Sequence, residues 1–422
     1  MIAYHFPPLR GSSGIQRTLK FAHYLPESGW QPIVLSAHPR AYENTSSDQL
    51  GDIAPGTIVS RPFALDTARH LAILRRYPRL LALPDRWISW ILGAVPAGLK
   101  LMRRHQCDVI WSTYPIATAH LIGLALHKLT GIPWVVDMRD PMTDEDYPAE
   151  RLVRRIFQWV ERKALRNASL VVCTTPGAIA DYRARYPEIP AERYRLIENG
   201  YDEEHFAAAQ ARCTEQDHRF TLLHSGIVYP SERDPTALFE ALAQLKKQGR
   251  IDCSQFRLVL RATAHDAHIG AMLSRHGIDD LVELAPPLGY RDALSEMLSV
   301  NALLILQAAN CNRQVPAKLY EYLRAGRPIL ALTDTDGDTA TVLRQAGIDT
   351  ITRLDSKDEI MNALPRFIAL ARTGQAPRVL QGQIHSYSRK SRARELAGAL
   401  DDAAGRIDEI GYMREYDEKP SR

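Results

Sequence analysis

Long apolar runs, paired cysteines and a strong charge imbalance are all missing from this 422-residue chain. No run reaches the ~20 consecutive apolar residues that cross a bilayer. The N-terminus does not read as a signal peptide, so a cytoplasmic protein is expected. Cysteine occurs only five times (Cys107, Cys173, Cys213, Cys253 and Cys311), with no Cys-x-x-Cys pair. An odd, scattered set argues for reduced thiols and against a disulfide frame or a zinc site. Lys plus Arg is 53 against 49 acidic residues, a net +4, too small an excess to point to nucleic acid as a partner. Sequence repeats and low-complexity segments are lacking, and so is Gly-x-Gly-x-x-Gly, which leaves NAD poorly supported.

What is present is the composition of a folded protein, 45% hydrophobic and 24% charged, in a chain long enough for two domains. Strand and helix patterns alternate almost throughout, so the fold class expected is α/β with two doubly wound, Rossmann-like domains facing a central cleft. Met1 to Phe6 looks like the second half of a first strand. Either the true start lies several residues upstream or that strand is unusually short. Further strands are expected at 32–36, 57–61, 108–113, 133–137, 170–174 and 194–197. The pattern lapses around 198–202 and through 212–217, and the domain boundary is placed there. A second series of strands follows at 220–225, 256–261, 281–284, 302–307, 329–332 and 350–352. The organisation expected is an N-terminal domain over 1–198, a C-terminal domain over 199–376, a closing helical segment over 377–405 packing back on the N-terminal domain, and a charged tail over 406–422.

The stretch around which the chain is organised is Val315-Pro316-Ala317-Lys318-Leu319-Tyr320-Glu321-Tyr322-Leu323. Pro316 suits the first position of a helix, Gly326 the residue just past its end, and Pro328 stops any continuation. The free N–H groups of such a helix point back into the preceding loop and favour an anion. Lys318 adds a positive charge there, and Glu321 lies one turn on along the same face. Cation, amides and carboxylate together suit a nucleoside diphosphate. An amphipathic helix with an internal Lys–Glu pair is the competing reading.

Other motifs fall at expected strand ends, where open parallel sheets bind ligands. Gly11-Ser12-Ser13-Gly14 opens the first helix, and glycines let the backbone approach a phosphate or sugar; a flexible turn is the plain alternative. Asp137-Met138-Arg139-Asp140-Pro141 places three charges directly after an apolar strand, which is costly without a purpose, although a solvated, salt-bridged turn would also explain them. Asp137 and Asp140 are the two carboxylates there that could orient or take a proton. His224-Ser225-Gly226 ends the first strand of the second domain, and Arg233-Asp234-Pro235 opens its helix. There Arg233 faces the same cleft as Lys318, or is capped by Asp234. His120 lies on a helix, where a lone histidine is more often structural than catalytic. Two basic and aromatic segments stand out in the first domain. One has Arg75, Arg76 and Arg79 ahead of the apolar stretch 88–101, and the other carries Arg151, Arg154, Arg155, Trp159, Arg162, Lys163 and Arg166. Such surfaces suit anionic lipid headgroups, or are simply solvated helix faces.

In their order and spacing these motifs resemble the family 4 glycosyltransferases of the GT-B fold, in the bacterial surface-polysaccharide branch with a Pro-x-Lys-x-x-Glu-Tyr pattern. The resemblance runs from Tyr4 to about Leu400. It implies a metal-independent, retaining hexosyltransferase that moves a sugar from a UDP or GDP donor to a saccharide or lipid-linked saccharide acceptor. Such an enzyme would use no cofactor and would work at the inner face of the plasma membrane. By the same resemblance Lys318 and Arg233 meet the donor diphosphate, Glu321 the ribose, and the backbone at Gln314 and Val315 the phosphates. Gly11 and Gly14 lie beside the transferring sugar. Asp137, Arg139, Asp140 and His120 line the acceptor side. The family often has an arginine directly after Gly226, where this chain has Ile227, so Arg233 or Arg261 would supply that charge. Of its two glutamates spaced seven apart, the first falls at Arg313. A nucleotide-sugar epimerase of the same fold, or a non-catalytic nucleotide-sugar binder, remains open.

Overall fold

The computed structural model describes residues 1–12, 14–74, 76–144, 147–209 and 218–406. Ser13, Arg75, Cys213, the 212–217 stretch and the tail beyond Arg406 lie outside them. Two compact units divide the chain, one made of Met1–Glu198 with the chain from Arg389 onward, the other of Asn199–Ser388. The segment expected to close the chain as one piece is therefore split. Residues 377–388 group with the second unit, and the helix Arg389–Ala404 groups with the first.

In the first unit β1 (Ile33–Leu35) pairs in parallel with β2 (Ile58–Ser60), and β3 (Ile110–Thr113), β4 (Trp134–Arg139), β5 (Leu170–Cys173) and β6 (Tyr194–Leu196) pair in parallel in sequence order. Ile2 joins the two sets by bridging Leu35 on one side and Ser112 on the other. Its N–H donates to the Trp111 carbonyl at 2.7 Å, and the Ala3 N–H to that of Leu35 at 3.1 Å. The first strand is thus reduced to a bridge, because the chain already turns at Tyr4, whose carbonyl accepts from the Phe6 N–H, and Pro7 and Pro8 have no N–H to donate. From this central position the chain runs first to β1 and β2, then crosses to β3. That reversal is where doubly wound sheets place their sites, and 4–14 leaves from it.

Both faces of this sheet are covered, which is why its strands read as continuous apolar runs rather than alternating ones. Trp134, Val136 and Val171 pack on one side with Trp90 and Ile122; Trp111, Val135 and Val172 pack on the other with Phe21, Leu396 and Leu400. The last two residues belong to the helix Arg389–Ala404, which therefore completes the core of the first unit.

The second unit holds β7 (Phe220–Ser225), β8 (Phe256–Arg261), β9 (Val282–Ala285), β10 (Ala302–Leu306), β11 (Ile329–Leu332) and β12 (Ile351–Thr352) in a parallel sheet ordered β12-β11-β10-β7-β8-β9. Leu222, Leu258 and Leu304 face one apolar layer, and Leu223, Val259 and Leu303 the other. Each such side chain contributes about 1.5–3 kcal/mol by leaving water. The order reverses between β7 and β10, so the loops after these two strands open at one point. The Ala308 N–H donates to the Glu232 carbonyl at 2.7 Å and the Asn310 side-chain amide to that of Ser231 at 2.9 Å. Among the described residues no helix is long and apolar enough to cross a membrane.

Candidate functional site

The loop after β10 is shaped by a buried amide. Gln307 donates through Nε2 to the carbonyls of Cys311 (2.7 Å) and Gln314 (2.8 Å), and its Oε1 accepts from the Thr339 hydroxyl. With 311–314 held in this turn, the helix opens later than its proline suggests. It spans Lys318–Ala325, with the Leu319 N–H bonded to the Pro316 carbonyl. Pro316 precedes the helix rather than starting it, and Lys318 becomes the first helical residue. Among the described residues, the N–H groups of Val315, Ala317 and Lys318 donate to no protein acceptor. They remain available to an anion.

Lys318 folds back onto the end of β7. A side-chain carbon built on Gly226 would lie 2.2 Å from Lys318 Nζ, and Gly226 has φ +131°, so only glycine fits. The strand end is itself fixed, because the Ser225 N–H donates to the buried Tyr322 hydroxyl at 2.9 Å. Nζ lies 3.5 Å from His224 Nε2, and among the described residues no carboxylate pairs with it at ion-pair distance. Burial, and then the neighbouring Arg233 charge, lower the Lys318 pKa to about 7, with Glu321 pulling the other way. A lysine that has lost solvation without a full counter-charge has its charged form favoured by any anion that approaches it.

Arg233 donates to the Ile227 carbonyl at 2.6 Å and lies over the Tyr229 ring. Asp234 does not cap it. That carboxylate caps the helix Thr236–Lys247 instead, accepting from the Thr236 N–H at 2.9 Å and from its hydroxyl at 2.5 Å. Glu321 accepts from the Tyr290 hydroxyl at 2.7 Å, which fixes one carboxylate oxygen. Arg261 is a correction to the sequence reading: its Nε and Nη2 each lie 2.6 Å from Glu296, and Nη1 donates to the Pro286 carbonyl at 2.7 Å. Its charge is already answered, so Arg233 alone of the two stands beside Lys318. Gly226, Arg233, Gln314, Val315, Lys318 and Glu321 thus gather at the carboxyl ends of β7 and β10.

In the first unit the charges after β4 separate into different roles. Asp137 is fully buried and receives Arg17 Nε at 2.8 Å, Arg17 Nη2 at 3.1 Å and the Thr113 hydroxyl at 3.1 Å. An aspartate so enclosed is a structural anion, not a base open to an acceptor. Arg139 follows a bulge in β4 and takes φ +56°, a costly backbone for a non-glycine residue. Its guanidinium reaches the Tyr114 carbonyl at 3.3 Å. A carbon on Gly14 would meet Arg139 Nη1 at 2.7 Å and His5 Nδ1 at 2.5 Å, so this glycine gives space to two polar side chains. Gly11 is exposed with φ +85°, and a side-chain carbon built on it would have nothing within 4 Å. Burial, then the Arg139 charge, lowers the His5 pKa to about 3; its Nδ1 contacts the Ser12 hydroxyl at 2.9 Å. Asp140 accepts from the Thr174 hydroxyl at 3.3 Å and is partly exposed.

His120 is a second correction. It is buried beside Trp134, with Nδ1 2.9 Å from the Ser112 hydroxyl, which itself accepts from the Trp134 N–H at 2.9 Å. Burial lowers its pKa to about 4, and it packs the core rather than facing a substrate. Arg17, Gln307 and Tyr290 were not singled out from the sequence. Arg17 and Tyr290 act across long separations that no local spacing reveals, and Gln307 acts on the carbonyls of a nearby loop and on Thr339.

Residues 13–200 match the family model described as a glycosyl transferase 4-like domain. The alpha-D-kanosaminyltransferase of Streptomyces kanamyceticus is 26% identical over 215 residues, 49% of this chain and 54% of that protein. The chain thus spans about half the length of the curated relative it matches. Among solved structures, sucrose-phosphate synthase from Thermosynechococcus elongatus superposes with a TM-score of 0.62 at 15% identity, covering 99% of this chain and 98% of that one. Anabaena HepE, crystallised with UDP-glucose, gives 0.61 at 14% identity over 93% and 97%. The fold is GT-B, and residues 13–200 are similar to the glycosyl transferase 4-like domain.

Proposed function

We propose that the protein is a glycosyltransferase that moves a hexosyl group from a nucleoside diphosphate sugar to an acceptor hydroxyl, with retention of configuration. The observation that carries this reading is the seating of the Lys318 ammonium against Gly226, beside Arg233 and the open N–H groups of Val315, Ala317 and Lys318. Charge builds on the diphosphate as the bond to the anomeric carbon breaks. Two fixed cations and aligned amides stabilise that charge without reorganising, the work a metal ion would otherwise do. Glu321, oriented by Tyr290, accepts hydrogen bonds from the ribose hydroxyls. On the first unit the acceptor-binding role falls to Arg139 and the partly exposed Asp140. The UDP-glucose bound by Anabaena HepE supports a uridine donor.

For the acceptor we favour a lipid-linked saccharide met at an anionic membrane surface, as in cell-surface polysaccharide synthesis. Ile73, Leu74 and Leu80 are 79%, 93% and 79% exposed, far beyond what a water-facing surface needs. Arg79 pairs with Glu150, which joins this apolar segment to the helix Arg151–Asn167. That helix exposes Leu152, Arg155, Trp159 and Arg162 along one stripe.

The test is a thermal-shift series with UDP, GDP and their sugars, followed by transfer assays with the donor that binds. A ligand present at a hundred times its Kd adds about 2.7 kcal/mol of apparent stability. No shift with any of these nucleotides would count against the donor site. Conversion of the donor sugar in the absence of any acceptor would replace transfer by epimerisation.

A further inference from the structure

His224 has so far appeared only as a neighbour of Lys318. Its ring is wholly buried on β7, with Nδ1 2.9 Å from the Leu304 carbonyl oxygen on the adjacent strand β10. A carbonyl only accepts, so Nδ1 carries the proton and Nε2 presents a lone pair. That lone pair points to Lys318 Nζ at 3.5 Å. Lys318 in turn sits where glycine alone leaves room.

The titratable groups facing this ammonium come from three elements. His224 approaches from β7, Arg233 from the loop after it, and Glu321 from the helix that carries Lys318 itself. A carboxylate in place of His224 would pair with the lysine and cancel the charge a diphosphate needs. An apolar residue would leave the ammonium with no acceptor below it. A neutral imidazole holds the group in place and leaves its charge uncompensated. The ring is itself kept neutral by burial, by Lys318 and by Arg233, which push its pKa well below the ordinary histidine value.

We infer that His224 is a positioning residue, a neutral acceptor that fixes the Lys318 ammonium against Gly226 and keeps it charged for the donor diphosphate. This rests on the donor-site reading above. Its consequence is a coupling between nucleotide binding and a proton. Empty, Lys318 titrates near neutrality, and a bound diphosphate raises its pKa, so binding takes up a proton. Affinity is full below about pH 7 and declines as the pH rises through it.

The experiment is calorimetric binding of UDP and GDP from about pH 6 to about pH 9 to the wild type, His224→Leu and His224→Gln, with circular dichroism of each. In His224→Leu the midpoint of the pH dependence moves about one unit acidic, so affinity above neutrality falls about tenfold. His224→Gln, whose side-chain carbonyl can accept, restores the wild-type midpoint. A folded His224→Leu with an unchanged midpoint overturns the inference. Nitrogen-15 spectra of histidine-labelled wild type test it without any variant of His224. A neutral Nδ1–H tautomer whose Nε2 resonance shifts near pH 7, and no longer does so in Lys318→Met, is expected. The opposite tautomer overturns it. If the wild type binds neither nucleotide, it is the donor-site reading that fails; if it binds both and His224→Leu titrates like the wild type, only the role of His224 fails.

Discussion

Arg17 and Asp137 meet as a two-pronged ion pair inside the first unit, 2.8 and 3.1 Å apart at their paired atoms and exposed by 2% and 0%. Arg17 also donates to the carbonyls of Ile197 (2.9 Å) and Glu198 (3.0 Å), tying the helix Gly14–Tyr24 to the end of the strand series. Removing one member of such a pair strands the other charge in the interior, at a cost of about 3–5 kcal/mol. Arg17→Met should therefore lower the urea midpoint sharply. Asp140→Asn should leave that midpoint within about 0.5 kcal/mol and instead reduce turnover about tenfold or more. Equal destabilisation by both changes would mean that Asp140, too, is only structural.

Gly226 and Lys318 yield a second prediction. In Gly226→Ala the new methyl occupies the place of Nζ, 2.2 Å away, and the backbone at φ +131° is strained as well. The lysine must leave its seat. Nucleotide affinity should fall more than about tenfold through lost charge stabilisation, and Lys318→Ala should lose a similar factor in turnover. Lys318→Met should likewise bind nucleotide more than about tenfold more weakly, yet be more stable than the unliganded wild type by about 2 kcal/mol, because a largely desolvated cation is replaced by an apolar chain. Melting curves with and without UDP distinguish these outcomes.

Acid sensitivity follows from three imidazoles, two of them buried and that of His5 partly so. His5, His120 and His224 have pKa values of about 3, about 4 and well below the ordinary 6.5, each chiefly through burial. The folded state holds them neutral, while the unfolded chain protonates them near pH 6.5. Their contribution is complete above the unfolded value and is lost as the pH falls toward the folded values. Each should add about 1.4 kcal/mol per pH unit to the slope of stability below pH 6.5. Urea unfolding at successive pH values measures the slope. His120→Phe should reduce it by about one proton.

Most of the fold was legible in the sequence because apolar runs and turn signals are local. β7, β8 and β11 begin and end where their patterns do. The shortened first strand was harder, since only the pairing of Ile2 with Leu35 and Ser112 defines it. The donor side was legible to the extent that Pro316, Lys318, Glu321 and Gly326 lie within one helix and its caps. Residues whose meaning depends on a partner elsewhere could not be assigned that way. Asp137 reads as a cleft carboxylate until Arg17 is found against it, and Arg261 as a spare cation until Glu296 is. His120 reads as a candidate acid or base until Trp134 and Ser112 enclose it.

The exposed apolar segment gives the last prediction. Leu74 and Leu80 are more exposed than a solvated surface requires, Trp159 is 51% exposed on a stripe with Arg155 and Arg162, and Arg79 connects the two areas through Glu150. Interleaved apolar and cationic side chains match an interface where acyl chains and anionic headgroups adjoin. The protein should therefore float with vesicles containing phosphatidylserine or phosphatidylglycerol and not with neutral ones. Binding should weaken as salt shortens the screening length to a few Å. Leu74→Asp with Leu80→Asp should abolish flotation while leaving nucleotide affinity unchanged, since both residues belong to the first unit and the donor-site residues to the second. Trp159→Ala should weaken it several-fold. Flotation that ignores lipid charge, or that survives the double aspartate variant, would remove this surface from the mechanism and leave a water-soluble saccharide as the acceptor to test.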